Sequence, residues 1–270
     1  MTRSRFRLSD DHVFLLAQLA TGQPVPARLE PAADELRESG LINRTGELSV
    51  LLLPLMKTLV SPGVIISLEA GGRQDTLHHG LLIGDDHVIS HESWPGEAEA
   101  EYRLVEPKML VWTLASMVNL QRSAPRHDTN VTVVETTVAT VEAGIAALGV
   151  PLAEGGEERE HLRKALVAGG APAGPELLLV ADLIADLRSS WRMTAAWQSR
   201  QDGQEGVEAR GFAIWDCGPL GYWHRELPAE PVAAGQTGPD STFRLVRVEA
   251  KKVWEMITGL LPAEGEITHR

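Results

Sequence analysis

The sequence from Val64 to Val105 reads VIISLEAGGRQDTLHHGLLIGDDHVISHESWPGEAEAEYRLV, and this stretch decides the fold. It is rich in β-branched and apolar residues that are separated by two groups of turn residues, Gly71–Asp75 and Gly84–Asp86. Such punctuation predicts consecutive antiparallel strands joined by tight turns. The predicted strands are Val64–Leu68, Thr76–Ile83, His87–His91 and Glu101–Val105. The stretch therefore predicts a β-meander.

Helical spacing of apolar residues surrounds this meander on both sides. Ser9 is a candidate N-cap for the first helix, and Pro107 stands where the first turn of a later helix tolerates proline. Pro54 marks a possible interruption of the third helix. The predicted helices of this half are Asp10–Ala20, Pro31–Ser39, Glu47–Val60 and Met109–Leu120.

From about Val131 the same order of elements begins again. Helices are predicted for Val131–Leu148, Glu157–Ala168 and Pro175–Arg188, followed by a strand from Trp191 to Trp197. Three anchors align the halves: Gly22 and Pro24 with Gly149 and Pro151, Gly80–Ile83 with Gly211–Ile214, and Tyr102–Val105 with Phe243–Val246. Divergent copies of one unit would give this pattern, and chance similarity is the alternative.

The duplication predicts an α+β fold of quasi-twofold symmetry. Each half, 1–125 and 126–270, is expected to contribute an antiparallel meander with flanking helices to one shared central sheet. The two halves would form one composite globular unit. The second half has longer segments at Ser199–Ala209 and Leu227–Ser241, which are interpreted as loops that serve recognition or as disordered connections.

Composition excludes several classes of function. The 270 residues carry a formal net charge of −12, which would repel a phosphate backbone and argues against nucleic acid as a partner. No apolar run follows the N-terminal arginines, and none approaches the roughly 20 residues of a membrane-spanning helix. We therefore expect a cytoplasmic protein without membrane insertion. The single cysteine, Cys217, excludes an internal disulfide and a multi-cysteine metal site, and it is expected to be structural.

The sequence contains no phosphate-binding glycine loop and no nucleophile elbow, so neither an enzyme nor a cofactor is expected. The strongest metal candidate is a histidine group in the meander. A hairpin turning at Gly84–Asp86 would bring His79 opposite His91, and Glu92 would supply a third zinc ligand. The alternative is that these are polar residues of a half-exposed strand, and no metal site is predicted.

Aromatic residues concentrate in the second half. Strand alternation places Trp191 and Trp197 on one face, where they would serve either core packing or a partner-binding sheet surface. The candidate partner-binding residues are Trp191, Trp197, Phe212, Trp215, Tyr222, Trp223 and Trp254.

Several segments together resemble the EspG family, the secretion-associated proteins of actinobacterial type VII (ESX) systems. They are Leu15 to Pro24, Glu38–Ile42, Leu51–Leu68, Trp191 with Trp215, and Val248–Leu260. The resemblance is one of pattern and order over nearly the whole chain. It implies a quasi-twofold α+β fold and a cytosolic chaperone that holds PE–PPE heterodimers, covers the tip of the PPE helices and directs them to export. It implies neither a cofactor nor catalysis.

In the resembled family, recognition uses the sheet, the loop between its second and third strands, and the C-terminal helical bundle. The corresponding loop here, Ala70–Asp75, is short, so the binding surface is sought on the second-half sheet and the final helix. The leading hypothesis is thus a non-enzymatic chaperone for helical ESX substrates. The alternatives are a metal- or ligand-binding enzyme at His79 and His91, and a regulatory protein-interaction module outside secretion.

Overall fold

The structure is a computed structural model that describes residues 5–72, 75–121, 131–149, 157–172, 174–201, 204–227, 237–263 and 266. Several sequence interpretations fall outside these residues: the turn residues Arg73 and Gln74, the anchor Pro151, most of the Leu227–Ser241 segment, and the boundary between the proposed halves. The strands are β1 Arg5–Ser9, β2 Val64–Gly71, β3 Thr76–Ile83, β4 Val88–Glu92, β5 Glu99–Val105, β6 Val133–Thr137, β7 Ser189–Gln201, β8 Gln204–Asp216, β9 Tyr222–Arg225 and β10 Thr242–Val248.

The helices follow the apolar periodicity of the sequence. Ser9 caps the first of them: its hydroxyl accepts from the backbone N–H of His12, whose side chain in turn accepts from the Ser9 N–H. Thr137 caps the fifth helix in the same way, through the N–H of Thr140. The helices are α1 Asp10–Ala20, α2 Glu30–Glu38, α3 Leu53–Val60, α4 Leu110–Met117, α5 Val138–Leu148, α6 Glu158–Ala168, α7 Pro175–Ala185 and α8 Ala250–Gly259.

The described strands form one antiparallel sheet in the order β1-β5-β4-β3-β2-β7-β8-β9-β10-β6. Its centre is the pairing of β2 with β7, in which Ser67 lies opposite Thr194. From this centre to either edge the strands of the two halves follow the same order. A continuous ladder therefore joins the two halves, whereas their descent from one ancestral copy stays a prediction.

One face of the central strands is covered by α4 and α8. The inward residues of β2 alternate strictly, with Val64, Ile66 and Leu68 buried at 1–2% exposure. They pack with Leu114 of α4 and Val253 of α8 in the central cluster. Burial of this alternating set and of the two amphipathic helices against it is the main apolar contribution at the centre.

The described helices on the other face cover it toward its two ends and leave its middle uncovered. Helices α1–α3 pack on the outer strands of the first half through residues such as Leu16 and Ile89. Helices α5–α7 pack on the outer strands of the second half through Ile184, Trp223 and Phe243. Two separate helical layers thus flank the middle of this face.

Two edge strands, β1 and β6, were missing from the sequence interpretation. Residues 131–148 were expected to be one helix, but the helix begins only at Val138, and the preceding residues form β6. Each of these strands runs directly into a helix at its capping residue, Ser9 or Thr137. Because strand and helix share that residue, no turn signal separates them.

The prediction of a loop over Ser199–Ala209 was also wrong. Strands β7 and β8 continue through this segment in unbroken register from Ser189–Asp216 to Gln201–Gln204. Polar residues occupy both sides of this part of the hairpin, so its pattern lacks the alternation that marks a half-buried strand. In the first half, the helix expected over Glu47–Val60 is reduced to a 3-10 turn at Val50–Leu52 followed by α3.

Candidate functional site

On one face, the middle of the sheet has no helical cover from the part of the chain that the structure describes, and we call this surface the open sheet face. It consists of the outward residues of β2, β7 and β8, and Ile65 in it is 43% exposed. The helices α4 and α8 lie on the opposite face, and the two flanking bundles lie over the outer strands. The residues of the open sheet face are Ile65, Ser67, Glu69, Arg192, Thr194, Ala196, Val207, Ala209 and Gly211.

A row of small residues crosses the open sheet face at its centre. Gly80, Ser67, Thr194 and Gly211 lie side by side on four adjacent strands. A Cβ on Gly80 would lie 2.3 Å from the carbonyl oxygen of Ile66, so this position accepts no side chain without backbone movement. The row therefore carries no large side chain, and its members Ser67 and Gly211 are exposed to a partner, whereas Gly80 is buried.

The neighbouring row on the same face, two residues further along each strand, carries charged residues. Glu69 is opposite both His78 and Arg192, and Arg192 is followed across the sheet by Ala213 and Arg225. The guanidinium of Arg225 stacks 4.5 Å from the centroid of Phe243. Burial lowers the pKa of Arg225, and the neighbouring Arg192 lowers it further. Arg192 on the open sheet face and Arg225 beside it on β9 thus carry positive charge on the second-half side, although the protein as a whole is acidic.

The predicted aromatic partner surface is not exposed. Six of its seven side chains are 1–7% exposed and lie in the core: Trp191, Trp197, Phe212, Trp215, Tyr222 and Trp223. Trp191 and Trp197 do share one face, as alternation predicted, but α4 and α8 cover that face. These six side chains pack in the core, and of the six only Tyr222 also lines a cleft, so their role in partner binding stays a prediction. The sequence distinguished the faces of the strand but not which of them is covered.

Trp254 is the exception, since it is only partly buried. It stacks edge-on against Trp112, with 4.5 Å between ring centroids, and Trp112 is 51% exposed. The two rings line a cleft of about 890 Å³ between the end of α4 and the start of α8. Tyr222 lies at this cleft and accepts a hydrogen bond from the Gln121 N–H at 3.0 Å, while burial raises its pKa.

The histidine site does not form as the sequence suggested. Strand register places His79 opposite Glu92 and His91 opposite Gly80, so the two imidazoles project from opposite faces of the sheet. The Nδ1 of His79 accepts the Ser93 N–H at 3.2 Å, and His91 packs on Tyr102 with 5.0 Å between ring centroids. Burial lowers the pKa of both histidines. Desolvation by the same packing raises the pKa of Tyr102 to about 12.

Within the described ranges, no cluster of three or more histidine, cysteine or carboxylate side chains could hold a metal ion. Cys217 is fully buried, and burial followed by the nearby Asp216 and Asp186 raises its pKa well above the ordinary value. A thiol in this setting is a poor nucleophile. No helix in the described part of the chain is both long and apolar enough to cross a membrane.

Sequence reasoning missed the open sheet face because its residues are small and polar and carry no motif. The one signal that could have found it was the glycine at corresponding places of the two halves, Gly80 and Gly211. The alignment of these two glycines indicates duplication. That they share one row of the open sheet face follows only from the register of four strands.

The chain is similar in fold to a solved structure, the type VII secretion system chaperone EspG5 of Mycobacterium tuberculosis in complex with the PE25–PPE41 dimer. The TM-score is 0.55 at 12% sequence identity, over 98% of this chain and 100% of that chain. No protein-family model matches the sequence, and no curated protein matches it either. The predicted α+β fold is confirmed, and the fold of this chain is similar to that of the EspG5 structure.

Proposed function

We propose that this protein is a non-enzymatic cytoplasmic chaperone that binds helical substrates of a type VII secretion system, of the PE–PPE heterodimer kind, and keeps them soluble for export. The open sheet face carries the proposal, because it is an uncovered central surface in a fold like that of a chaperone solved with its PE–PPE client. Exposed apolar residues among polar neighbours, as Ile65 and Val207 are here, are typical of protein-binding surfaces.

The chemistry of the open sheet face suits the tip of a helical client. Its row of small residues lets a helix end approach the backbone closely, and Ile65 and Val207 offer exposed apolar contacts at 43% and 73% exposure. Arg192 and Glu69 supply charges that fix orientation at the border of the apolar part. Apolar contact with a polar rim is the usual anatomy of a specific interface.

The proposed surface belongs to both halves of the chain. Because β2 and β7 pair directly, a client seated on the open sheet face would contact 1–125 and 126–270 at once. We therefore propose that the two halves act as one binding unit. The final helix, α8, lies on the other face of the sheet, so it cannot form a single surface with the open sheet face.

Co-expression with the helical substrate pairs encoded near its gene tests the proposal. We expect a stoichiometric complex that survives size-exclusion chromatography and a larger soluble fraction of the client. Ile65→Arg on the open sheet face should abolish the complex, whereas Met109→Arg should leave it intact. Met109 is a matched control, since it is 41% exposed and is the N-cap residue of α4 on the opposite side of the sheet.

Three outcomes contradict parts of this proposal. If no substrate pair co-purifies or gains solubility, the chaperone function is wrong. If a complex forms that tolerates Ile65→Arg, the function holds but the surface is wrong. If Met109→Arg is the variant that releases the client, the binding site lies at the start of α4, on the opposite face of the sheet.

A further inference from the structure

Two arginines in one row of the sheet differ from most others in the chain. Most arginines of the described residues pair with a carboxylate, as Arg244 does with Glu226 at 3.0 Å. Within the same described ranges, Arg192 of β7 and Arg225 of β9 have no carboxylate within 4.0 Å of their nitrogens. Positive charge is thus left without an ion-pair partner here, although the net charge of the protein is −12.

Strand register brings the two arginine side chains to the same face. Arg192 is directly opposite Ala213, and Ala213 is directly opposite Arg225, so all three side chains project to one side of the sheet. Neighbouring strands are about 4.8 Å apart, which separates the two arginines by about 10 Å at the backbone. Ala213 has no long side chain, so it forms the floor of the space between the two guanidinium groups.

Arg225 is held in position by an aromatic ring. Its guanidinium stacks 4.5 Å from the centroid of Phe243. Burial lowers the pKa of Arg225 and the charge of Arg192 lowers it further, so the two cations lie within electrostatic reach of each other. An anion bound between them would replace this repulsion by two attractions.

Arg192 is exposed and lies on the same surface as the apolar contacts of the open sheet face. It is four residues along β7 from Ala196, which lies opposite Ile65. Four residues of a strand span about 13 Å. A partner that uses both the apolar and the cationic contact must span this distance, so it is a protein rather than a small free anion.

The first-half side of the same row carries the opposite charge. Glu69 lies opposite Arg192 on β2, on the side away from Arg225, and His78 follows on β3. An acidic group on a partner is therefore attracted to the second half and repelled from the first.

We propose that Arg192 and Arg225 together bind a carboxylate of the client, an aspartate or glutamate side chain about 13 Å from the apolar residue that contacts Ile65. This site rests on the proposed function, because the client seated on the open sheet face supplies the carboxylate. A carboxylate accepts hydrogen bonds from two guanidinium groups at once, and such charge-assisted bonds are short and strong. Since Glu69 repels the same carboxylate, the arginine pair also sets the orientation of the client.

Isothermal titration of the client tests the site on the whole chain. Arg192→Gln should raise the dissociation constant at least about tenfold, and the difference from wild type should shrink as salt is added. Arg44→Gln is the matched control, since Arg44 is exposed, has no ion pair in the described ranges and loses the same charge. Each aspartate and glutamate of the client is then replaced by its amide. At one of these positions the loss should not add to that of Arg192→Gln.

Sodium acetate gives a second readout that needs no client. Acetate is raised to about 100 mM in exchange for chloride at constant ionic strength, so general screening does not change. The side-chain Nε–H NMR signals of Arg192 and Arg225 should shift more than that of Arg44. Arg192→Gln should reduce the shift of the Arg225 signal, because only one guanidinium is then left to bind the carboxylate. Thermal unfolding verifies that each variant is folded.

The carboxylate site is wrong if acetate shifts the signals of Arg192 and Arg225 no more than that of Arg44. It is also wrong if a client complex forms and tolerates Arg192→Gln as well as it tolerates Arg44→Gln, although the chaperone function then holds. If no client binds the wild type, the chaperone function fails instead, and the acetate titration alone decides whether the arginine pair binds a carboxylate.

Discussion

The two central hairpins occupy corresponding places in the sheet but end in different ways. The β2–β3 hairpin has eight residues in each strand, and Ser93 closes its outer edge: its hydroxyl accepts from the His78 N–H at 2.9 Å and donates to the His78 carbonyl at 2.7 Å. The β7–β8 hairpin has thirteen residues in each strand and an outer edge without such a closure in the described residues.

The longer hairpin is held from a distance instead. Arg210 of β8 stacks 5.0 Å from the centroid of the Trp197 ring, donates to the carbonyl of Leu261 at 3.3 Å and pairs with Glu266. The residues after α8 therefore anchor β8 from the covered face of the sheet. Corresponding strands of the sheet are thus held in two different ways. A nearby hydroxyl caps the outer edge of β3, whereas a distant segment of the chain holds β8 from the covered face.

The largest effect is expected at Trp197, which joins the long hairpin to the shared core. It is 2% exposed, and Trp197→Ala should lower the free energy of unfolding by about 3–5 kcal/mol. Leu68→Ala in the short hairpin should lower the free energy of unfolding by about 2–4 kcal/mol. Val207→Ala should change it by no more than about 0.5 kcal/mol, because that side chain is exposed. Urea denaturation measures all three. A larger loss for Leu68→Ala than for Trp197→Ala would mean that the short hairpin contributes more to the shared core than the long one.

The next largest difference between the hairpins is expected when the central glycine of each, Gly80 or Gly211, is replaced by alanine. A Cβ on Gly80 would lie 2.3 Å from the Ile66 carbonyl oxygen, whereas one on Gly211 would lie 3.0 Å from the Thr194 hydroxyl oxygen and 3.2 Å from the carbonyl oxygen of Met193. Gly80→Ala should therefore cost about 2–4 kcal/mol and Gly211→Ala about 1 kcal/mol. Equal losses in urea denaturation would mean that the close strand approach is not particular to the short hairpin.

Removing the distant anchor should have a smaller effect. Arg210→Ala should cost about 1 kcal/mol, through loss of the cation–π contact and of the hydrogen bond to Leu261. Amide hydrogen exchange should accelerate in β8 and after α8 but not in β3. If β3 responded as strongly as β8, the anchor would not belong to the long hairpin alone.

The same anchor should depend on pH. Hydrogen bonds from the Ala263 N–H and then from Arg210 lower the pKa of Glu266 below its ordinary value of 4.5. A carboxylate with a lowered pKa in the folded state stabilises fully above its ordinary pKa, and loses that contribution as the pH falls through the lowered value. The stability difference between wild type and Glu266→Gln should therefore be constant at pH 6–8 and vanish in acid. A difference that grows in acid would contradict this assignment.

The smallest effect is expected at Ser93, which closes the short hairpin. Ser93→Ala removes two hydrogen bonds at a partly exposed site and should cost about 0.5–1 kcal/mol. Faster hydrogen exchange at the His78 amide would locate the loss. Protection of that amide in the variant would show that the edge of β3 is closed by something other than the hydroxyl.

Much of the architecture could be predicted where residues interact with near neighbours in the chain. The bounds of α1 and β3 agree with the sequence interpretation, since a capping serine and a pair of turn signals fix their ends. The edge strands β1 and β6 and the outer part of β7–β8 could not be found in this way. Their strand state depends on pairing with segments such as β5 and β10, which lie far along the chain.

The candidate site was less accessible than the fold. Alternation correctly placed Trp191 and Trp197 on a single face. Their aromatic side chains suggested a binding surface, but α4 and α8 cover that face. The predicted histidine site does not form for a related reason. The register places Glu92 rather than His91 opposite His79, and this one-residue difference puts the two imidazoles on opposite faces of the sheet.

By itself, the sequence determined the class of fold, the meander and the order of its helices, because local periodicity, caps and turns encode them in neighbouring residues. Only the tertiary structure decided which part of the sheet the described helices leave open, how far β7 and β8 extend and which tryptophans are covered. These properties depend on strand register and on the face that each helix occupies. Both are set by contacts between residues far apart in the chain, and no local pattern records them.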